Sequence, residues 1–228
     1  MKTLRNRDII PLIDLSCVKA NHELSEITEM ANIARRYNVC AVFALPAHTA
    51  RLKELMTGSR VKLGGTVGFP SGSVTTETKL AEVEQLLTLG VDEIDMVVNI
   101  TWLRSGEHAS ALHDAKAVVR AAGRVPVKLI LEVTCLSEAQ IREGCELGLE
   151  AGVEFLKSGT GWSRLPTTID HVRIMADAVK RRCKLKVAGG VRDRETLLAM
   201  YELGVSRFGI GTKAAVRILE GGDGVDAP

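Results

Sequence analysis

The 228-residue chain is poor in aromatic residues, which make up 4% of it, and its charges nearly cancel. Thirty Lys and Arg residues stand against 28 Asp and Glu, a formal net charge of +2, and the longest basic block is Lys180-Arg181-Arg182. This balance gives no footprint of a nucleic-acid or membrane-surface binder. No apolar run approaches the ~18 residues that a membrane span needs, and the N-terminus lacks a signal-peptide apolar region. We therefore expect neither nucleic-acid nor membrane partners.

Cysteine is scarce and scattered. The five cysteines lie at positions 17, 40, 135, 145 and 183, an odd number with no CxxC pair. This pattern indicates free thiols in a reducing compartment and predicts a cytoplasmic protein. The histidines have no zinc-ligand spacing either, so we predict no metal site and no cofactor.

What the chain does contain is an alternation of short apolar runs with longer amphipathic stretches. The runs are dense in Val, Ile and Leu, which is typical of parallel strands covered on both faces. Eight strands are predicted, at Ile9–Leu15, Val39–Leu45, Val61–Val67, Glu93–Asn99, Val125–Glu132, Val153–Lys157, Lys184–Ala188 and Arg207–Ile210. Helices are predicted between them, among others at Leu24–Tyr37, Thr75–Leu89, His108–Ala122, Glu138–Ala151, Thr168–Arg181 and Glu195–Leu203.

Eight strand–helix units in this length favour the α/β class and a single (β/α)8 TIM barrel over residues 1–220, followed by a flexible tail at 221–228. The alternative is a doubly wound sheet. A dinucleotide-binding sheet of that kind opens with GxGxxG after its first strand. Here the first predicted strand is followed by Ser16-Cys17-Val18-Lys19, which favours the barrel.

Ionisable residues lie in or at the ends of three predicted strands. Asp95 lies in the fourth strand, Lys157 closes the sixth and Lys186 lies in the seventh. A buried unpaired charge is costly, so each needs a partner or a purpose. One interpretation is structural: the lysines point outward, or form ion pairs with Asp95 and Glu132. The other is catalytic, because active sites of (β/α)8 barrels lie at the carboxyl ends of the strands.

The chemistry that suits this trio is amine catalysis on a carbonyl group. A neutral lysine attacks an aldehyde or ketone, loses water and leaves an electron-withdrawing iminium ion. The ordinary lysine pKa of ~10.4 must fall for this, and a neighbouring ammonium group together with desolvation lowers it. An aspartate nearby can then move protons.

Glycine-rich loops follow the last predicted strands and suggest a phosphate site. Backbone amides at a helix N-terminus bind anions, and barrels often bind phosphate after strands seven and eight. The alternative is that these glycines only make tight turns. The candidate phosphate-binding residues are Thr160, Gly161, Gly189, Gly190, Gly209, Gly211, Thr212 and Lys213.

Several motifs resemble those of the deoxyribose-phosphate aldolase family, in the same order and over about residues 9–219. Three carry most of the resemblance: Asp-Glu-Ile-Asp-Met-Val-Val-Asn-Ile at 92–100, Lys-Ser-Gly-Thr-Gly at 157–161 and Lys-Val-Ala-Gly-Gly at 186–190. Gly68-Phe69-Pro70, Thr75-Thr76-Glu77 and Arg104-Ser105-Gly106 fit as well.

The resemblance implies a (β/α)8 fold and a metal-free Schiff-base aldol reaction. It implies Lys157 as the nucleophile, Lys186 as the group that perturbs it and joins the proton relay, and Asp95 as the relay carboxylate. It also implies Asp14 and Ser16 as substrate-binding residues, a phosphorylated sugar or aldehyde as substrate, and a homo-oligomer, a dimer or larger. The leading substrate is 2-deoxy-D-ribose 5-phosphate, cleaved to acetaldehyde and D-glyceraldehyde 3-phosphate.

The chain departs from the family at residues around the substrate. Leu15 replaces a histidine of the first strand, and Phe43 stands where the family has a small residue such as cysteine. Two alternatives therefore stay open. One is a lysine-dependent aldolase for another deoxy- or keto-sugar phosphate, and the other is a non-catalytic sugar-phosphate-binding barrel.

Overall fold

The computed structural model describes residues 4–221 as a closed barrel of eight parallel strands. Each strand pairs with its neighbours in chain order, and β8 closes the barrel by pairing with β1. This confirms the predicted (β/α)8 fold and excludes the doubly wound sheet, which has two open edges. The strands are β1 Ile13–Cys17, β2 Ala41–Ala44, β3 Lys62–Val67, β4 Glu93–Val97, β5 Val127–Ile130, β6 Phe155–Lys157, β7 Lys184–Ala188 and β8 Val205–Ile210.

The helices surround the barrel, and the predicted ones form within one or two residues of their expected ends. Ser137 caps α7 through a capping box with Gln140, and the chain leaves α4 and α7 through Gly90 and Gly152, whose φ angles are 70° and 79°. The helices are α1 Asn6–Ile9, α2 Leu24–Tyr37, α3 Thr49–Met56, α4 Thr76–Leu89, α5 Ile100–Arg104, α6 His108–Ala122, α7 Glu138–Ala151, α8 Ile169–Val179, α9 Arg194–Glu202 and α10 Thr212–Glu220.

The first strand differs from its predicted position at Ile9–Leu15. Residues Asn6–Ile9 form the short helix α1, a 3-10 turn follows at Ile10–Leu12, and β1 runs from Ile13 to Cys17. Pro11 explains the shift, because proline lacks the amide proton that a strand in a closed sheet donates. Ile9 is fully buried, so the apolar run belongs to the core without being a strand.

The fourth and fifth strands end two residues before the predicted boundaries. Asn99 caps α5, where its side-chain oxygen accepts a hydrogen bond from the amide of Trp102 at 3.1 Å. Glu132 has a left-handed backbone with φ of 55° and precedes a 3-10 turn. Both strands thus end earlier because Asn99 and Glu132 organise the loops at their carboxyl ends.

The two faces of the strands carry different chemistry. Outward-facing aliphatic residues pack beneath the helices in one large core, whereas charged side chains point into the barrel. Between residues 4 and 221, no helix is both long and apolar enough to cross a membrane. Residues 222–228, most of the predicted tail, lie outside the described part of the chain.

Candidate active site

Lys157, Lys186 and Asp95 meet inside the barrel near the carboxyl ends of the strands. One oxygen of Asp95, Oδ2, accepts hydrogen bonds from Lys157 Nζ at 2.7 Å and from Lys186 Nζ at 2.8 Å. Lys186 Nζ also lies 2.7 Å from Asp14 Oδ2. The lysines are neighbours because β6 pairs with β7 in a register that sets Lys157 beside Lys186. The lysines therefore point inward, contrary to the outward-facing alternative.

A second layer of charges lies beneath these residues. Lys128 Nζ contacts Asp95 Oδ1 at 3.1 Å and forms an ion pair with Glu93. Arg207 bridges two carboxylates, with Nη2 at 2.8 Å from Glu93 Oε1 and 2.7 Å from Asp14 Oδ1. Glu93 and Asp95 are two residues apart on β4, so both side chains face the interior.

Among the buried side chains of this network, there is one more cation than there are carboxylates. Lys157 reaches a single carboxylate, that of Asp95, whereas each of the other three cations lies between two. The excess charge is thus removed at least cost by releasing the proton of Lys157. The carboxylates are Asp14, Glu93 and Asp95, and the cationic side chains are Lys128, Lys157, Lys186 and Arg207.

The pKa values of Lys157 and Lys186 move apart. Burial, together with the charges of Lys186 and Lys128, lowers the pKa of Lys157 to about 8 against the opposing attraction of Asp95. Burial also disfavours the charged form of Lys186, but the carboxylates of Asp14 and Asp95 outweigh it and raise the pKa of Lys186. One lysine is therefore suited to act as a nucleophile and the other to remain an ammonium ion.

Asp95 and Glu93 stay ionised despite their burial. Desolvation raises the pKa of Asp95, but the ammonium groups of Lys128, Lys157 and Lys186 outweigh it and hold the pKa well below its usual range. Desolvation likewise opposes ionisation of Glu93, yet Lys128 and Arg207 lower its pKa to about 2. The site thus holds fixed negative charges between fixed positive ones at neutral pH.

Lys157 faces a narrow cavity that leads to a wider one at the barrel mouth. The narrow cavity has a volume of about 20 Å³, the size of about one water molecule. It is lined by Phe43 and Thr66 as well as by Lys157 and Lys186. The wider cavity has a volume of about 370 Å³ and lies among the loops that follow β1, β6, β7 and β8. Ser16, Val18, Thr160, Ala188 and Gly209 line both cavities.

Backbone amides border the wider cavity. Gly161, Gly189, Gly190 and Gly211 all line it, and within residues 4–221 their amides donate no hydrogen bond to another group. Gly211 is also the N-cap of α10 and has no side chain to cap the helix amides. Unpaired amides at a helix N-terminus bind anions. The predicted phosphate-site glycines are thus brought together around one cavity.

Other predicted binding residues have different surroundings. The hydroxyl of Thr160 donates to Glu132 and accepts from the amide of Trp162 at 3.0 Å, so it is already engaged. A Cβ atom at Gly209 would lie 2.9 Å from Ala188 Cβ and 3.4 Å from Lys186 Cε, so this glycine makes room for Lys186. Thr212 and Lys213 do not line the wider cavity; they line an adjacent cleft with Glu26 and Glu29.

Glu132 has a structural role rather than an ion pair with a lysine. Its carboxylate accepts hydrogen bonds from the amide of Thr160 at 3.1 Å and from the hydroxyls of Thr160 and Thr134. These bonds fix the loop after β6, which carries Gly161. Of the ion pairs that the structural alternative named, those of the lysines with Asp95 form, whereas within the described residues Glu132 pairs with no lysine.

The sequence interpretation missed Lys128, Glu93 and Arg207. Each lies in a strand, with its side chain facing the barrel interior like those of Asp95 and Lys186. Each is nearly or fully buried. Glu93 could have been found from its spacing of two residues to Asp95, because alternate residues of a strand face the same side. For Lys128 and Arg207, only their unexpected charge within apolar runs gave a signal.

Comparison with known proteins places this geometry in a family. Residues 9–212 match the DeoC/LacD family aldolase. A deoxyribose-phosphate aldolase of Klebsiella pneumoniae is 44% identical over 91% of this chain and 85% of its own length. That of Sinorhizobium medicae is 38% identical over 95% of this chain and 88% of its own. The tetrameric deoxyribose phosphate aldolase of Aeropyrum pernix superposes with a TM-score of 0.85 at 23% identity, over 94% of this chain and 91% of that one. The chain therefore belongs to the DeoC/LacD aldolase family and is a carbon–carbon lyase.

Proposed function

We propose that the protein cleaves 2-deoxy-D-ribose 5-phosphate to acetaldehyde and D-glyceraldehyde 3-phosphate through a Schiff base on Lys157. The observation that carries the proposal is the Lys157 amine, which has a lowered pKa and opens onto a cavity. The relatives of Klebsiella pneumoniae and Sinorhizobium medicae, both named deoxyribose-phosphate aldolases, support this substrate.

The reaction begins at the aldehyde carbon C1 of the open-chain sugar. Neutral Lys157 attacks C1, and loss of water leaves an iminium ion. A base removes the proton of the C3 hydroxyl and the C2–C3 bond breaks, so that C3 becomes the aldehyde carbon of D-glyceraldehyde 3-phosphate, which leaves. The electron pair of the broken bond forms the C1–C2 double bond of an enamine, and the π electrons of the iminium return to nitrogen. Protonation of C2 and hydrolysis then release acetaldehyde and free Lys157.

Asp95 and Lys186 are proposed as the proton relay. Asp95 Oδ2 contacts both lysine nitrogens, at 2.7 Å and 2.8 Å, so a proton can pass between them along existing hydrogen bonds. Asp14 holds Lys186 from the opposite side at 2.7 Å. We assign Asp14 to positioning Lys186, and Ser16, which borders both cavities, to contact with the substrate hydroxyls.

The wider cavity is proposed to hold the phosphate. A substrate whose C1 is bonded to Lys157 extends through the shared lining at Thr160 and Gly209 toward the amides of Gly161, Gly189, Gly190 and Gly211. Lys19 lies at the rim, where its ammonium donates to the carbonyl of Gly161. We retain Thr212 and Lys213 as proposed contributors through the N-terminus of α10.

Borohydride trapping tests the Schiff base. Incubation with acetaldehyde and borohydride is expected to leave a two-carbon adduct on the peptide that contains Lys157. An adduct on Lys186 instead, or no adduct with any sugar phosphate or aldehyde, contradicts the assignment and favours a non-catalytic binding barrel. Rates with a panel of deoxy- and keto-sugar phosphates then distinguish deoxyribose 5-phosphate from other substrates.

Two further features are proposed with this function. A cytoplasmic location rests on the five free cysteines, which suit a reducing compartment. A homo-oligomer rests on the family resemblance, and light scattering after size-exclusion chromatography measures it directly.

A further inference from the structure

Phe43 occupies the barrel interior beside the catalytic lysines. It lies on β2, is 3% exposed, and lines the narrow cavity together with Lys157. The centroid of its ring is 4.1 Å from Lys186 Nζ and 5.1 Å from Lys128 Nζ. These distances suit cation–π contacts, which hold the ring over the two ammonium groups.

The neighbouring strand is adapted to this ring. Phe43 pairs with Gly64 of β3, and a Cβ atom placed on Gly64 would lie 2.0 Å from Cε1 of the ring. The ring therefore takes up the volume that a side chain on β3 would need. It lies between the backbone of Gly64 and the ammonium of Lys186, so it cannot move aside without losing packing on one of them.

The direction of the substrate chain defines what the ring faces. The iminium carbon has three substituents: the nitrogen of Lys157, the carbon chain, and a third group. In the proposed binding mode, the carbon chain of the substrate extends toward the amides after β6, β7 and β8. Phe43 and Thr66 lie on β2 and β3, across the barrel. The third group is left to face the wall that Phe43 and Thr66 form. In an aldehyde this group is hydrogen, and in a ketone it is a carbon.

We propose that Phe43 restricts the donor, the carbonyl compound that forms the iminium, to aldehydes. The narrow cavity beside Phe43 has a volume of about 20 Å³, room for about one water-sized group, so once the iminium carbon occupies it no room is left for a ketone's second carbon substituent. The inference rests on the proposed Schiff base at Lys157. Phe43 acts here as a specificity-determining residue and takes no part in bond making.

The trapping chemistry separates the two donors. Acetaldehyde or acetone condenses with the Lys157 amine and releases one water molecule. Borohydride then delivers hydride to the iminium carbon, which leaves an ethyl or an isopropyl group on the nitrogen. The measured quantity is the ratio of isopropyl to ethyl adduct on the Lys157 peptide, from separate incubations at equal donor concentration and time. A general loss of reactivity cancels in this ratio.

We expect the ratio to be low in the wild type and to rise about tenfold or more in Phe43→Ala, the range by which one methyl group is discriminated in a tight pocket. Phe43→Leu keeps part of the bulk and is expected to give a smaller rise. Phe155→Leu is the matched control. Its ring also lies near Lys128 and Arg207, at 5.6 Å and 5.8 Å, but it does not line the cavity.

The outcomes are distinct. An unchanged ratio in Phe43→Ala that still forms the ethyl adduct overturns the role of Phe43 and leaves the Schiff base intact. Should Phe43→Ala fail to fold, the Phe43→Leu ratio decides in the same way. An equal rise in Phe155→Leu also overturns the proposal, because it would trace the effect to weakened ion packing. If even the wild type forms no ethyl adduct, the proposed function itself fails.

Discussion

At the residue scale, the lowered pKa of Lys157 is a consequence of its burial and of its neighbours' charges. Lys157 is only 7% exposed and contacts one carboxylate, while Lys186 contacts two. A buried cation with the weaker compensation loses its proton first. The site therefore needs no special base to produce a neutral amine, because the arrangement of fixed charges already favours it.

This charge balance makes Lys186→Leu informative. Removing one cation leaves three carboxylates facing Lys128, Arg207 and Lys157, so Lys157 becomes a required counter-ion and its pKa rises above about 8. We expect the trapping rate with acetaldehyde, which increases with pH through the Lys157 pKa, to need a higher pH in the variant. Turnover at pH 7 is expected to fall about 100-fold or more, since the proposed proton-relay group is also lost.

The matched control is Lys184→Leu, on the same strand but exposed and paired with Glu154 at the surface. It is expected to keep the wild-type pH profile. A Lys186→Leu protein that folds, by circular dichroism, and shows an unshifted profile contradicts the pairing of the two lysines.

At the element scale, the strands and the loops at their carboxyl ends contribute different groups to the site. Strands β4, β6 and β7 carry Asp95, Lys157 and Lys186, and the loops after β6 and β7 and the N-terminus of α10 supply unpaired amides. Trp162 ties the loop after β6 to the loop after β1, because its indole Nε1 donates to the carbonyl of Val18 at 2.6 Å. The geometry of the wider cavity thus depends on loop contacts more than on strand register.

A substitution of Lys213 tests how far the proposed phosphate site extends along α10. If its ammonium reaches the phosphate, Lys213→Met is expected to raise KM about tenfold to a hundredfold for deoxyribose 5-phosphate and to leave KM for deoxyribose unchanged. Lys116→Met, an exposed residue paired with Glu150 on the outside of the barrel, serves as the control. Equal effects on both sugars, or none, assign Lys213 to the adjacent cleft and leave the glycine amides as the site.

At the scale of the whole molecule, the barrel interior holds a network of paired charged side chains. Its closed sheet buries these charged side chains, so each ion depends on its partners inside. The network spans strands β1 and β4 to β8, which means that it forms only when the barrel closes. Stability and the proposed catalysis therefore rest on the same contacts.

Acid unfolding measures this dependence through Glu93. Its pKa is about 2 in the folded protein, below the usual 4.5, so its contribution to stability is complete above about pH 4.5 and is lost as the pH falls toward 2. Glu93→Gln is expected to lower the free energy of unfolding at pH 7 by about 3 kcal/mol, because Lys128 and Arg207 lose a buried partner. The difference from the wild type should shrink between pH 5 and pH 3.

Urea unfolding at several pH values gives these free energies. Glu154→Gln, which removes an exposed carboxylate from a surface pair, is expected to follow the wild type at every pH. A constant difference between Glu93→Gln and the wild type from pH 7 to pH 3 would show that the ionisation of Glu93 does not stabilise the fold.

The sequence by itself determined the order of strands and helices, several helix ends, and the trio of Lys157, Lys186 and Asp95. These follow from local rules: apolar periodicity, capping at Ser137, left-handed glycines, and the placement of charged residues at strand ends. The start of β1 was misplaced because the apolar run continues through Pro11 into a buried helix and turn. Composition alone does not distinguish a buried strand from another buried segment.

Only the tertiary structure decided which charges compensate one another. Lys128, Glu93 and Arg207 are far apart along the chain and meet because the barrel closes and turns alternate side chains inward. The tertiary structure also placed Phe43 against Lys186. It placed Lys213 on the cleft adjacent to the wider cavity, whereas Gly211 lines both. Pairing and pKa depend on distance and burial in three dimensions, and neither quantity is set by separation along the sequence.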